Sequence, residues 1–401
     1  MTATRIGRLA TLVAFAALWT LAAALLLRTS VPSLHLHGDA HRFFDDAEIA
    51  RAKRFECFLY VLWGLHLVAT LAALVVLTRR APRMARSIGI GRVGTGVIVS
   101  MVMLVTLWAV SLPFGFAAQW WDARHGLAPH DYLRWLIAPW SALLLEAFFV
   151  VAAVAIVMGL AGRLGRRWWI AGAPVFVALA VAFAFAGGWV AAIGTQPLRS
   201  AELRAAFAKL ERTEHVEGTP IRVDDVSSYT KEANAFSVGF GPSARVVIWN
   251  TLLDGRFGAG AVRFVVAHEL GHVRHRHVVK ALAWFALLAF PLAWLVERTT
   301  RFRGGLASAA SLPPAFLALL VATTLAAPFE SAVSRRYEAE ADWSGLKATR
   351  DPAAGARLFR AFERTSLQDP SPPHWAYLWL ADHPTLAQRL AMVVAFRHGA
   401  R

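Results

Sequence analysis

Long apolar runs separated by short basic segments dominate the chain and predict several membrane-spanning helices. A window of about 19 residues, the length that crosses a bilayer core, selects seven runs: 9–27, 57–77, 93–112, 139–160, 169–193, 281–296 and 306–327. The sixth run contains Pro291 and the seventh contains Pro313 and Pro314, so we expect both to be kinked or partly buried in protein. The pattern predicts a mainly α-helical, polytopic membrane protein with about seven transmembrane helices.

Two polar stretches, 196–280 and 331–401, interrupt this pattern. The periodicity of the first predicts a helix after Gly260, a turn at Gly241 and Pro242, and four shorter elements: a helix at 202–211 and strands at 221–226, 233–240 and 245–249. We therefore expect a small α+β domain between spans five and six, completed by the C-terminal polar segment. The predicted division is a five-span region, 1–194, and a second region, 195–401, that contains spans six and seven.

Composition and charge support a membrane protein over a soluble one. Hydrophobic residues make up 57% of the chain, charged residues 17%, and the formal net charge is +16. The arginines cluster beside apolar runs, as in the loops of a membrane protein, without the interleaved aromatic residues of a nucleic-acid groove. Membrane lipid is therefore an expected partner and nucleic acid is not. Cys57 is the single cysteine, which excludes an intrachain disulfide and a cysteine-based metal site.

One short motif indicates metal chemistry. His268, Glu269 and His272 form an HExxH pattern, and on a helix this spacing places both imidazoles on one face. Two neutral imidazoles and one carboxylate suit Zn²⁺ and leave a position for water, from which Glu269 can take a proton as general base. A separate ExxxD segment offers Glu338 as the third ligand and Asp342 as an acceptor for the free ring nitrogen of one histidine.

Neighbouring polar residues fit this site less well. By itself, the acidic segment around Glu338 is typical of a solvated helix face, and only its pairing with HExxH favours a ligand. Glu340 lies two residues away and should point off the ligand face. His275 and His277 break the spacing that relates His268 to His272, so we interpret them as surface or interfacial residues.

With these motifs in place, the stretch from about 232 to 389 resembles the CAAX prenyl protease 1 family, which are integral-membrane gluzincin zinc metallopeptidases. The resemblance rests on the HExxH and ExxxD motifs and on three further segments: Asn234, Ala235 and Phe236; Val246–Leu253; and His383–Pro384 with Arg389. Five predicted spans before the domain agree with this group better than with the related HtpX-type proteases. The five-span region itself carries no motif specific to the family.

The resemblance implies roles for residues that their spacing alone does not assign. Asn234, Ala235 and Phe236 would form an edge strand that pairs with the substrate backbone. His383 would donate to the oxyanion of the tetrahedral intermediate, although a histidine before a proline is more often a turn residue. Arg389 would support the site, and one Zn²⁺ would be bound per chain.

The predicted function is that of a membrane-embedded zinc metalloendopeptidase similar to CAAX prenyl proteases, acting on a peptide or protein that is free, lipidated or membrane-bound. Two alternatives remain open. One is quality control of membrane proteins in the manner of HtpX. The other is a non-catalytic, zinc-binding membrane scaffold, which would have a closed coordination sphere and no dependence on Glu269.

The positive charge of the loops predicts an orientation. With seven spans, the N-terminus and the second, fourth and sixth loops carry 13 Lys or Arg, whereas the first and third loops carry 7. The positive-inside rule then places the zinc domain on the extracytoplasmic face. The Ala-, Leu- and Arg-rich composition favours a bacterial inner membrane. A count of six spans would move the C-terminus across the membrane, and the eukaryotic relatives have the opposite orientation.

Overall fold

The computed structural model describes residues 3–32, 38–137, 140–228 and 230–399. Most of them are helical, in the order α1 (Ala3–Leu26), α2 (Asp46–Ile88), α3 (Arg92–Arg124), α4 (Tyr132–Ile137), α5 (Trp140–Leu164), α6 (Trp168–Val190), α7 (Ala201–Glu214), α8 (Ala259–Arg274), α9 (His277–Thr300), α10 (Leu312–Thr349), α11 (Pro352–Ser366), α12 (His374–Trp379) and α13 (Leu386–Arg397). Four short strands form the sheet: β1 (Gln196–Pro197), β2 (Ile221–Asp224), β3 (Ala235–Val238) and β4 (Arg245–Trp249).

Within the described residues, five helical stretches are long and apolar enough to cross a membrane: Asp46–Ile88, Arg92–Arg124, Leu143–Val190, His277–Arg303 and Ala309–Thr349. The fourth and fifth predicted runs overlap the single stretch Leu143–Val190, where a 3₁₀ turn at 165–167 separates α5 from α6, and position 139 of the fourth run lies outside the described residues. The first run falls in α1, where Ala16–Leu26 is a shorter apolar helix. The polytopic, mainly helical class is confirmed, and the count of seven spans stays a prediction.

The bundle has two different ends. The turns at 305–307 and 309–311, between α9 and α10, contact α2, α3, α5 and the 165–167 turn, so these connections meet at one end. Arg303 donates there to the carbonyl of Thr78. The sheet lies at the other end, where Arg245 donates to the carbonyl of Gly188 near the end of α6 at 2.6 Å. The polar domain therefore caps the bundle opposite the short arginine-rich turns.

Two of the three prolines of α10 lie at its start, and the third, Pro328, lies inside the helix. Pro313 and Pro314 occupy the first turn of α10 and are buried. The amide nitrogens of a first helical turn have no intrahelical acceptor, so proline is tolerated there without a kink. The sequence predicted either a kink or burial in protein at these prolines, and the structure shows burial. Pro291, in contrast, lies inside α9.

The sheet has the order β1-β2-β4-β3, with β2 and β4 parallel and the outer pairs antiparallel. The strand at 245–249 is confirmed as predicted, and those predicted at 221–226 and 233–240 are shorter by two and four residues. The predicted turn at Gly241 and Pro242 is a 3₁₀ turn, and Gly241 has a φ of 56°. Because β3 pairs only with β4, its outer edge is open in the described chain.

Helix α8 runs through the centre of this domain. It contacts the sheet and helices α7, α10 and α11, and the side chains of Phe264 and Leu270 are fully buried. Phe264 also packs edge-to-face against Phe359 of α11, with ring centroids 5.5 Å apart. A helix enclosed on every side must be apolar around its circumference. The few polar side chains on α8 therefore require partners inside the protein.

A glycine allows α8 and α10 to pack closely. A Cβ atom added at Gly271 would lie 3.0 Å from Cβ of Ser344 and 3.3 Å from Cα of Ala341. Ala341 and Ser344 are themselves buried on α10. The small residue at this crossing brings the acidic face of α10 against the HExxH segment of α8.

We expect Gly271→Val to force these two helices apart. Overpacking a close contact of this kind destabilises a protein by about 1–3 kcal/mol, so the unfolding temperature in detergent should fall. Gly64→Val is the matched control, because no atom lies within 4 Å of a Cβ added at Gly64 on α2. Equal unfolding temperatures for the two variants would contradict this account of the crossing.

Candidate metal centre and active site

The HExxH segment lies on α8 as predicted, with both imidazoles on one face. The Nε2 atoms of His268 and His272 are 3.1 Å apart. His268 and Glu269 are buried, with 7% and 8% of their surfaces exposed. Two ring nitrogens this close in a buried setting favour a shared cation between them.

The third predicted ligand, Glu338, comes to the same point from α10. Its Oε2 atom lies 3.2 Å from Nε2 of His268, and its Oε1 atom lies 3.4 Å from Nε2 of His272. In the described chain, these three residues are the group whose ligand atoms converge closely enough to hold a metal ion, all within 4.8 Å of one another. The structure thus brings together the three residues that the sequence proposed as ligands.

The donor set fits a metal cation. Oε2 of Glu338 is buried and forms no hydrogen bond of good geometry among the described residues, although Nε2 of His268 and Nε2 of His383 lie 3.2 and 2.9 Å from it. A buried carboxylate oxygen without a hydrogen bond is unfavourable unless a cation compensates it. Two imidazole nitrogens and a carboxylate are the donors that Zn²⁺ takes when three protein ligands hold it.

Behind His268, an acidic side chain fixes the ring. Asp342 accepts from Nδ1 of His268 at 2.9 Å, and Arg389 of α13 donates to both carboxylate oxygens of Asp342 at 2.6 and 2.8 Å. Burial opposes charge on His268, but Asp342 and Glu338 raise the pKa of the imidazole to about 10. The two carboxylates, Asp342 and Glu338, therefore favour a positive charge, from a proton or a metal ion, at Nε2 of His268. Arg389 acts on Asp342 and contacts no ligand nitrogen.

A second chain of contacts, which sequence reasoning missed, holds His272. Nδ1 of His277 lies 2.8 Å from Nδ1 of His272, and Nε2 of His277 lies 3.0 Å from Oε2 of Glu340. With Nε2 of His272 directed to a metal, its Nδ1–H donates to His277, whose Nε2–H donates to Glu340. Glu340 also accepts from the backbone N–H of Ser30 and lies 3.3 Å from Nζ of Lys280.

The interpretation of His277 as a surface or interfacial residue was therefore wrong. His277 is 5% exposed and stacks on the ring of Tyr337, with centroids 4.6 Å apart. The prediction failed because the chain turns at Arg276, where φ is 55°, and α9 starts in a new direction. Glu340 points off the ligand face as expected. The sequence signal that could have indicated this contact was the pair of histidines just after HExxH, His275 and His277, together with a second glutamate near Glu338.

Glu269 faces the edge of the sheet. Burial raises the pKa of its carboxyl above the usual range, while His268 and His272 oppose the shift, and Ser237 on β3 forms a hydrogen bond with it. Asn234, Ala235 and Phe236 lie at the start of this same edge strand, and the backbone carbonyl of Asn234 accepts from Trp249 at 3.0 Å. The predicted base and the predicted peptide-binding strand are thus adjacent.

His383 reaches the site from the segment between α12 and α13. Its Nε2 atom lies 2.9 Å from Oε2 of Glu338, and its Nδ1 atom lies 2.7 Å from Asp382. Burial opposes a charge, yet Asp382 and Glu338 raise the pKa of His383 to about 9. Arg335 of α10 holds this segment by donating to the carbonyls of Tyr377 and Ala381 at 2.7 and 2.6 Å. A protonated imidazole is therefore available beside the candidate metal centre.

Comparison with known proteins places this geometry in context. Residues 197–396 match Peptidase family M48. The chain is 28% identical over 204 residues to an uncharacterized metalloprotease, YhfN, of Bacillus subtilis, covering 48% of each chain. It is 29% identical over 266 residues to a Protease HtpX homolog of Acidiphilium cryptum, covering 58% of this chain and 90% of that one.

Other relatives connect the chain to the CAAX proteases. It is 26% identical over 209 residues to a CAAX prenyl protease 1 homolog of Arabidopsis thaliana, covering 49% of this chain and 48% of that one. The chain thus spans about half the length of this relative and of YhfN. The crystal structure of S. mikatae Ste24p superposes with a TM-score of 0.73 and 16% identity over 94% of this chain and 96% of that one, which establishes a shared fold.

We expect His277→Leu to weaken metal binding. Loss of an outer partner that orients a ligating imidazole typically lowers metal affinity by about 10- to 100-fold. The measurement is competition with a chromogenic chelator on the detergent-purified protein. His275→Leu is the matched control, because His275 contacts Glu340 and Ser344 at 3.4 Å but not His272. Equal affinities for the two variants would remove His277 from this role.

Proposed function

We propose that residues 197–396, which match peptidase family M48, form the catalytic part of a membrane-embedded zinc metalloendopeptidase. The observation that supports this most directly is the convergence of His268, His272 and Glu338 beside the buried carboxyl of Glu269. Three protein ligands leave one position of a tetrahedral metal open, as catalytic zinc sites do. A structural site, which a scaffold would have, usually closes that position with a fourth protein ligand.

One Zn²⁺ per chain would be held by these three side chains. When bound, it would polarise the substrate carbonyl and make a water molecule acidic enough to lose a proton near neutral pH. Asp342 and His277 keep the two ligating rings in orientation, because each occupies the ring nitrogen that does not face Glu338.

Glu269 moves the proton in this mechanism. Its carboxylate accepts a proton from the attacking water and donates it to the nitrogen of the leaving amine. The raised pKa of Glu269 suits both steps, because a general acid–base group works best with a pKa close to the operating pH. His383, protonated beside Glu338, would donate to the oxygen of the tetrahedral intermediate.

The substrate is an extended peptide in this proposal. The open edge of β3, with Asn234, Ala235 and Phe236, would pair with its backbone by β-augmentation, which favours unfolded segments and chain ends. The CAAX prenyl protease 1 homologs suggest a lipidated peptide. The HtpX homolog, which the chain matches over 90% of its length, suggests quality control of membrane proteins as the second candidate.

We further infer that the catalytic domain faces the extracytoplasmic side of a bacterial inner membrane and that seven helices cross it. Helices α5 and α6, with 25 and 23 residues, are each long enough to cross separately. The end of the bundle opposite the sheet carries eleven arginines in or beside its short turns: Arg79, Arg80, Arg83, Arg86, Arg92, Arg163, Arg166, Arg167, Arg298, Arg301 and Arg303. Such clusters mark the cytoplasmic face.

We expect Glu269→Gln to bind zinc like the wild type and to lose peptidase activity by at least about 1000-fold, because the amide cannot accept the proton. The measurement combines the zinc content of purified protein with mass spectrometry of products from an unfolded peptide library. Addition of a chelator to the wild type should abolish cleavage, and Zn²⁺ should restore it. Cleavage by both proteins at the same rate would exclude the assignment.

Orientation can be tested by cysteine labelling in a Cys57→Ala background. We expect Glu202→Cys, on exposed α7 of the polar domain, to react with a membrane-impermeant maleimide in intact spheroplasts. Arg167→Cys, at the opposite end of the bundle, should react only after the membrane is permeabilised. The reverse pattern would place the catalytic domain in the cytoplasm.

A further inference from the structure

A cavity of about 420 Å³ adjoins the candidate active site on the side of His383. Its wall is built from five separate parts of the chain: α2, the end of α3, the segment before β3, the segment between α11 and α12, and the segment that carries His383. Each part contributes one carboxylate, namely Glu56, Asp122, Glu232, Asp369 and Asp382. We call this space the acidic cavity.

The charge of the acidic cavity is opposite to that of the chain. The chain has a net charge of +16, yet among the described residues neither lysine nor arginine lines this cavity, and His383 is the one basic residue that does. His383 is already paired with Asp382 at 2.7 Å. Lys53 acts on Asp369 electrostatically from outside the lining. A concave surface of one charge raises the local concentration of ligands of the opposite charge.

One carboxylate oxygen of Asp369 lacks a hydrogen-bond donor among the described residues. Asp369 is 3% exposed, and its Oδ1 atom accepts from the backbone N–H of Ser371 at 2.8 Å. Its Oδ2 atom is buried and has no hydrogen-bond partner among the described residues. A buried carboxylate oxygen without a hydrogen-bond donor is unfavourable. A donor that enters the cavity would remove this penalty.

The other carboxylates differ in how far they are satisfied. Glu56 accepts from the hydroxyl of Tyr60 and, at 2.9 Å, from the backbone N–H of Asp369. Within the described chain, the side chain of Asp122 has Glu232 and His125 as electrostatic neighbours and forms no hydrogen bond, and Glu232 forms no ion pair. Glu232 lies two residues before Asn234, and its carbonyl is fixed by Thr251 at 2.5 Å. Free carboxylates thus lie beside the strand proposed to hold the peptide.

These carboxylates are too dispersed to form a metal site. Among the described residues, His268, His272 and Glu338 are the group that converges as metal ligands do, and no set from the acidic cavity joins them. A guanidinium or an ammonium group has three to five N–H donors pointing in several directions. Such a cation can meet carboxylates that come from separate elements, and Asp369, with its unsatisfied carboxylate oxygen, is one of the residues that line the cavity.

We propose that the acidic cavity is a substrate subsite that takes an arginine or lysine side chain of the peptide. The position follows from the cavity's two borders, the entry to β3 at Glu232 and the segment at His383. A peptide paired with the edge of β3 would present a side chain between them. This inference rests on the proposed peptidase function and adds a preference for basic residues at one position near the cleaved bond.

The test uses pairs of peptides that are identical except at one residue, which is arginine in one peptide and its neutral isostere citrulline in the other. The variable residue is placed in turn at each position around a cleavage site. Binding is measured first, by displacement of a fluorescent peptide from the full-length Glu269→Gln protein loaded with Zn²⁺. Arginine can form charge-assisted hydrogen bonds with the carboxylates and citrulline cannot. At one position, the arginine peptide should therefore bind about 10- to 100-fold more tightly than the citrulline peptide. The kcat/KM of the wild type should show the same ratio.

Three variants locate the preference, each made in the wild type and in the Glu269→Gln protein. Asp369→Asn should bring the ratio of arginine to citrulline close to one. Because a change at buried Asp369 can also disturb folding, a second, double variant changes two less buried groups: Asp122→Asn, at a half-buried position, combined with Glu232→Gln, at an exposed one. It should lower the ratio at least about threefold. Glu202→Gln, on the outer face of α7, is the matched charge control and should leave the ratio unchanged.

The outcomes separate the two proposals. An arginine-to-citrulline binding ratio of one at every position overturns the acidic subsite, whether or not the wild type cleaves peptides. A ratio that the Glu202→Gln control lowers as much as the double variant also overturns it. A high ratio that only the cavity variants lower supports the subsite, even if the wild type cleaves neither peptide and the peptidase function fails.

Discussion

The close crossing of α8 and α10 is the contact on which the candidate site depends. Gly271 leaves no side chain between the helices, so Ala341 and Ser344 pack directly against α8. Glu338 and Asp342 lie one turn apart on α10, on the face turned towards this crossing. One helix contact thereby sets both the third ligand position and the orientation of His268. The same helix begins in the apolar bundle, so the membrane region and the site share a rigid element.

The imidazoles of His268 and His272 are oriented by contacts that lead to opposite ends of the sequence. His268 is oriented by Asp342, which Arg389 of the last helix clamps. His272 is oriented through His277 by Glu340, which accepts from Ser30 just after α1. Residues from both ends of the sequence therefore stabilise one centre. This explains physically why the polar domain needs the segment after the last long helix, and it links the first helix to the metal ligands.

Charge is sorted along the axis of the molecule. Arginines gather at the turns of one end of the bundle, and carboxylates gather around the cavity next to His383 at the other. The first pattern suits an anchor at the cytoplasmic surface, and the second suits the capture of a cationic side chain. A net charge of +16 hides this separation, because a sum over the sequence contains no information about position.

The sequence by itself determined the features that depend on local spacing. The i, i+4 spacing of HExxH and of ExxxD required that each pair share a helix face, and apolar runs of membrane length required a helical bundle. Strand 245–249 followed from its own apolar residues, whereas the other strands were predicted too long because only pairing decides where a ladder ends. The tertiary structure alone decided the rest. The left-handed turn at Arg276 buried His277 against His272, and five distant segments brought their carboxylates to one cavity. Such contacts join residues up to about three hundred positions apart, and no periodicity along the chain encodes which of them meet.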